Sequence, residues 1–190
     1  MESTATAAHI MAGNTSKQFD EITDSAREIF LKKMKDYGTA WRILRASSLT
    51  DQIFIKAQRI RSVEEKGVQK INESIEEEFL GIINYCIIAL IQSEIGTNHE
   101  TDMDRKEVLN HFNTHVSEAK KLMENKNHDY GEAWKAMRTS SMTDLILMKL
   151  LRIKQIEDNK GETLISEGVQ ANYYDIINYS VFAMIKMKYL

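Results

Sequence analysis

The 190-residue sequence contains no proline. Proline punctuates loops and edge strands, so its absence suits a compact helical protein. There is one cysteine, Cys86, so no internal disulfide can form, and a reducing compartment fits best. Cys86 lies in the apolar run NYCIIAL, where a thiol reads as a small buried hydrophobe. Charge of one sign is also scarce. The formal net charge is −3, which leaves no basic field to hold nucleic acid or an anionic membrane. No apolar run reaches the ~20 residues needed to span a bilayer. The opening MESTATAAHIMAGNTS lacks the basic start and long apolar stretch of a signal peptide. Residues 1–16 read as a flexible tail, and the expected location is cytoplasmic. Several catalytic signatures are missing as well: no phosphate-binding glycine loop, no CxxC pair, no HExxH and no G-x-S-x-G elbow. At 43% hydrophobic and 28% charged residues, what remains is ordinary for a globular protein of one domain, or of two small units with a shared core.

What is present is repetition. The stretch DYGTAWRILRASSLTD begins at Asp36 and DYGEAWKAMRTSSMTD at Asp129, a spacing of 129 − 36 = 93 positions. The same spacing pairs Trp41 with Trp134, Arg45 with Arg138, Asp51 with Asp144, Lys56 with Lys149, Arg59 with Arg152 and Glu64 with Glu157. One inserted residue near Asn159 shifts the later pairs by one more position, so that Gly67 matches Gly161 and IINY at 82–85 matches IINY at 176–179. A fixed internal period of this kind marks a tandem duplication. It divides the chain into a first helical repeat over 17–93, a polar linker over 94–103 and a second repeat over 104–190.

Each copy reads as three helices. Phe19, Ile22, Ala26, Ile29 and Phe30 recur at helical spacing, placing a first helix over Lys17–Lys35 with its counterpart over Asp104–Asn127. Gly38 and Gly131 follow these helices where a left-handed residue is wanted. Second helices are expected to begin inside SSLTD and SSMTD, where Ser48 to Asp51 and Ser141 to Asp144 have capping-box spacing, and to stop at Gly67 and Gly161. The third helices, Glu73–Ser93 and Glu167–Lys188, are apolar on nearly every face and belong at the centre. The expected fold is all-α: a six-helix bundle with pseudo-two-fold symmetry, either a monomer resembling a fused dimer or a homodimer. Trp41 and Trp134 are expected to plug their turns into the core.

Packing leaves some polar residues unaccounted for. Asn84, Asn178 and Asp175 fall inside the apolar third helices, and a buried polar group needs a partner. That partner is either an inter-helix network or a ligand. In the first copy Glu78 and Gly81 stand where Asn172 and Asp175 stand in the second, so each copy keeps one carboxylate of an ExxD pair. Glu78 and Asp175 could converge on one hard cation between the third helices. Lys56 with Arg59, and Lys149 with Arg152, share a helix face and could grip phosphate, or run along the core with their heads in water. Asp51 and Asp144 read first as caps. His111 and His115 are spaced to share a metal, though such helical pairs are usually incidental.

The set KNHDYGEAW (126–134), TDLILMKLLR (143–152) and DIINY (175–179), with its first-copy equivalent, resembles a bacterial and phage family described as nucleotide modification associated domain 1. That family in turn is similar to the MazG-like all-α NTP pyrophosphatases, which hold Mg²⁺ on helix-borne carboxylates and cleave between the α- and β-phosphates. The resemblance implies a metal-dependent nucleotide-binding protein with nucleotide as partner, and, at its furthest, a nucleoside triphosphate pyrophosphohydrolase; the net acidity argues against a direct nucleic-acid or membrane partner. Under it, Glu78 and Asp175, with Asp51 or Asp144, would hold Mg²⁺. Lys56, Arg59, Lys149 and Arg152 would neutralise phosphate, together with Arg45, Arg138, Asn84 and Asn178 on the substrate. Asp36 or Asp129 would orient sugar or water. The alternative is a non-catalytic interaction module descended from such an enzyme.

Overall fold

Six helices run through the chain, and no strand occurs among the described residues: α1 (Glu2–Tyr37), α2 (Ala46–Lys66), α3 (Ile75–Ile95), α4 (Arg105–Tyr130), α5 (Thr139–Asp158) and α6 (Val169–Tyr189). The computed structural model describes residues 2–98, 101–162 and 167–190, with side chains from Thr15 onward. Most of the expected tail therefore has no described side chains. Its last residues belong to the fold. The Thr15 hydroxyl donates to Glu132 at 2.5 Å and the Ser16 hydroxyl to Glu124 at 2.9 Å. The first helix thus begins upstream of the expected Lys17 and ties itself to the second repeat.

The turns follow from local chemistry. Gly38 (φ 59°) and Gly131 (φ 58°) adopt the left-handed conformation that ends a helix, which a side chain would strain. A single 3-10 turn then carries each tryptophan, over Ala40–Ile43 and Ala133–Ala136. The second helices start sooner than expected. Arg45 and Arg138 are the N-cap residues, without a side-chain cap bond, and the Ser48–Asp51 and Ser141–Asp144 pairs already lie within the helices. Only two residues separate each 3-10 turn from the helix that follows, so the helix begins as soon as the turn closes. Capping occurs elsewhere. Ser74 and Glu77 form a reciprocal box at α3, and Asp104 accepts from Lys106 and Glu107 at α4. The inserted residue changes the end of α5, where Lys160 (φ 56°) and Gly161 (φ 88°) are both left-handed and Gly161 donates to the Ile156 carbonyl at 2.8 Å.

The core forms where the apolar third helices meet. α3 packs on α6, α2 on α5, and each unit's second helix on its own third helix, while α1 and α4 each lie against both third helices. Phe79, Ile83, Ile87, Leu90, Ile176, Ile177 and Ile185 have no exposed side-chain surface. Each such side chain contributes roughly 1.5–3 kcal/mol of burial. Cys86 is buried among them, and burial pushes its thiol well above the usual range. By length and composition α3 is apolar enough to cross a bilayer, contrary to the estimate from run length. Most of that stretch is buried inside the bundle.

The two units meet in symmetric pairs. Thr50 donates to Glu157 at 2.8 Å, and Thr143 donates to Glu64 at 3.1 Å. Lys154 reaches Asp51 at 2.6 Å, and Arg61 lies 3.7 Å from Asp144. Each contact is the image of the other under the repeat, as in an isologous dimer interface. Asp51 and Asp144 thus hold the seam.

Candidate functional site

Behind the repeated turns lies a repeated cavity, about 330 Å³ in the first unit and about 320 Å³ in the second. Every residue lining the second has its repeat counterpart lining the first. The first helix supplies Lys33 and Tyr37, repeated as Lys126 and Tyr130. The 3-10 turn supplies Trp41 and Trp134. The third helix supplies Asn84 and Tyr85, repeated as Asn178 and Tyr179. The cavity is thus framed by aromatic rings, with one lysine and one buried amide.

Each turn is anchored to the end of a third helix. In the first unit the buried Arg42 guanidinium donates to Gln92 and to the Gly96 carbonyl, and Gln92 donates to the carbonyls of Arg42 and Leu44, both at 3.0 Å. In the second unit Lys186, at the position of Gln92, donates to the Lys135 carbonyl at 2.6 Å. Different chemistry holds the same loop.

The amides at the cavities are under-bonded. Asn84 donates to the Ala26 carbonyl at 2.9 Å, and its oxygen has no partner. Neither end of the Asn178 amide has one, although the residue is only 5% exposed. The indole N–H groups of Trp41 and Trp134 also lack acceptors. Buried polar atoms are nearly always paired with protein or ordered water, so these are the cavity atoms left to bond water or another group.

The copies differ at five matched lining positions: Phe30 and Met123, Met34 and Asn127, Leu44 and Met137, Gly81 and Asp175, and Ile88 and Phe182. Trp134 stacks on Phe182 with centroids 4.2 Å apart and planes 3° from parallel. The first unit has Ile88 there, so Trp41 lacks that partner. Asp175 lines the second cavity, whereas Gly81 lines the first. A Cβ on Gly81 would come within 3.0–3.2 Å of the end of the Lys56 side chain, which occupies that space.

These differences separate the two carboxylates expected to share a cation. Glu78 accepts from Lys56 at 2.9 Å and Arg59 at 2.5 Å, within the first unit. Burial pushes its pKa up, but the two cations outweigh burial and hold it below the usual range. Asp175 accepts from Lys149 at 2.6 Å and Lys126 at 2.5 Å, within the second unit. Burial would lower the Lys126 pKa; Asp175 overrides it and raises it. Each carboxylate is neutralised twice over by its own unit. Among the described residues no three His, Cys, Asp or Glu side chains gather into a metal site. The donor set therefore does not fit a resident Mg²⁺.

Of the other expected residues, Asn84 and Asn178 line the cavities. Asp36 and Asp129 are exposed at the ends of α1 and α4 and line neither cavity, as is also true of Arg45 and Arg138. Lys56, Arg59 and Lys149 are engaged by Glu78 and Asp175. Among the described residues Arg152 has no such acid, because Asn172 replaces Glu78 and its amide donates to the Gly168 carbonyl at 2.9 Å. Sequence reasoning passed over Lys33, Lys126 and the four tyrosines. The signal was in the repeat itself. Tyr37 and Tyr130 recur as DY in both copies, yet stay 71% and 72% exposed, which packing does not require.

The family model described as nucleotide modification associated domain 1 matches the chain twice, over residues 33–93 and 126–187. Each match opens at the cavity lysine and runs past the third-helix asparagine and tyrosine. No curated protein and no solved structure matches the chain.

Proposed function

The chain belongs to the family described as nucleotide modification associated domain 1, and from that membership and the paired cavities we propose that it is a nucleotide-binding protein with one site in each unit. The observation that carries the reading is the recurrence of an aromatic cavity holding an under-bonded asparagine and a lysine. The parts suit a mononucleotide. The indole and phenol rings can stack on a base, a contact worth about 1–3 kcal/mol in single-stranded nucleic-acid sites. The buried amide meets the base's polar edge, and the lysine offers a mobile point charge to a phosphate. A volume near 330 Å³ is at the small end of ligand pockets and favours one nucleotide over a dinucleotide.

Hydrolysis has less support. With Glu78 and Asp175 each clamped by two cations, no carboxylate set among the described residues is poised for a divalent ion. Any magnesium would have to arrive with a polyphosphate.

Thermal unfolding with deoxynucleoside mono- and triphosphates, each with and without Mg²⁺, tests the reading. Ligand at a hundredfold excess over its Kd adds about 2.7 kcal/mol, a rise of roughly 5–10 °C for a chain of this size. Pyrophosphate release in the same samples separates hydrolysis from binding. If no nucleotide stabilises the protein, the non-catalytic interaction module takes its place.

A further inference from the structure

We propose that the second unit's cavity reads one edge of a nucleobase through Asn178, whereas the first unit's cavity holds a ring without reading that edge. The inference rests on the nucleotide-binding reading above and deepens it.

The two asparagines occupy equivalent positions and differ in what remains free. One N–H of the Asn84 amide is committed to the Ala26 carbonyl at 2.9 Å, which ties its nitrogen to the backbone of α1, and its oxygen has no partner. Asn178 keeps both its nitrogen and its oxygen unpartnered in a site where it is 5% exposed. A free amide presents a donor and an acceptor side by side. Adenine offers the complement in its amino group and adjacent ring nitrogen, and asparagine pairs with that edge in two hydrogen bonds.

The surroundings reinforce the difference. One turn before Asn178, Asp175 also lines the cavity, but its two oxygens accept from Lys126 and Lys149. The Trp134 ring is fixed against Phe182, a rigid apolar wall beside the amide. The first unit has Gly81 and Ile88 at these places and lacks both the acid and the stack. A site that buries an unpaired donor and acceptor discriminates against rings lacking the matching pair, because those groups then stay unsatisfied.

The test is calorimetric titration of the full chain with deoxyadenosine monophosphate and with purine riboside monophosphate and its 2′-deoxy form, which lack the 6-amino group. The expected result is two binding events with deoxyadenosine monophosphate, one of which weakens at least about tenfold with the deoxy purine analogue while the other is unchanged. In Asn178→Leu, a substitution close in size, that discrimination disappears. Equal binding of the two deoxy ligands by the wild-type protein overturns the proposal without recourse to any variant. So does discrimination that persists in Asn178→Leu. In both cases nucleotide binding itself stands. Absence of binding by every monophosphate removes the nucleotide reading and this inference together.

Discussion

Lys149 and Asp175 form an ion pair with side chains 11% and 7% exposed, closer to dry than any other pair among the described residues. Removing one partner from such a pair leaves a charge without compensation, which typically costs 3–5 kcal/mol. Lys126, which is half in water, softens the loss of Asp175 on its own side. Asp175→Asn should therefore lower unfolding stability by about 3 kcal/mol, read as a fall in the urea midpoint at unchanged slope. A loss below about 1 kcal/mol would mean that water already reaches Lys149. The need for a partner at Asp175 could be read from an acid within an apolar helix. Which partner it finds could not. Lys126 lies on another helix far away in sequence, and Glu78, expected to share a cation with Asp175, is held in its own unit.

His115 sets a pH dependence at the same scale. It is 2% exposed, its Nδ1 lies 2.8 Å from the Tyr174 hydroxyl, and Glu94 stands 3.4 Å from Nε2. Burial lowers its pKa below 6.5, against the opposing pull of Glu94; His111, also close to Glu94, lowers it further. The unfolded chain then binds more protons than the native protein in that interval. The stability His115 contributes is complete above about pH 6.5 and is lost as pH falls through its folded value. Wild-type protein should lose stability between pH 7.5 and pH 5.5, and His115→Asn should lose less over the same range. Parallel denaturation curves at the two pH values decide it.

Among elements, the α2–α5 seam carries matched contacts that are not equal. Thr50 donates to Glu157 and also meets the Tyr173 hydroxyl at 2.8 Å, so Tyr173, 2% exposed, has its hydrogen bond there. Thr143 donates to Glu64, but the counterpart of Tyr173 is Phe79, which has no hydroxyl. Thr50→Val should orphan two groups and cost about 2 kcal/mol, while Thr143→Val orphans one and costs about 1 kcal/mol. Equal losses in thermal or chemical unfolding would show that the tyrosine hydroxyl finds another partner. Helix number, the glycine turns and the central place of the third helices were legible, because periodicity and left-handed glycine are local signals. The helix starts were misjudged, since Ser48–Asp51 has capping spacing but the preceding tryptophan turn decides where α2 begins. The seam was illegible for a different reason. Asp51 looks like a cap in sequence and becomes an inter-unit ion pair only once α2 and α5 are docked.

At the scale of the whole molecule, the seam makes each unit complementary to itself. If a second copy of residues 104–190 took the place of the first unit, Thr143 would face Glu157 and Asp144 would face Lys154, the pairings now made across the repeat. Two copies of the first unit would set Thr50 against Glu64 and Asp51 against Arg61 in the same way. Each unit alone would also expose the apolar face of its third helix, which the other unit now covers. An isolated unit with that much bare apolar surface has every physical reason to pair. The second unit expressed as residues 104–190 should therefore run as a homodimer in size-exclusion chromatography with light scattering. Its dissociation should be cooperative with loss of helix by circular dichroism. Adding the first unit should produce a mixed pair that makes the threonine–tyrosine contact once, whereas the homodimer of the second unit makes it twice through Thr143 and two copies of the first unit, with Phe79 in place of Tyr173, cannot make it. A folded, monodisperse monomer of either unit would show that the shared core is dispensable, and the two cavities would then have to be treated as sites on independent domains.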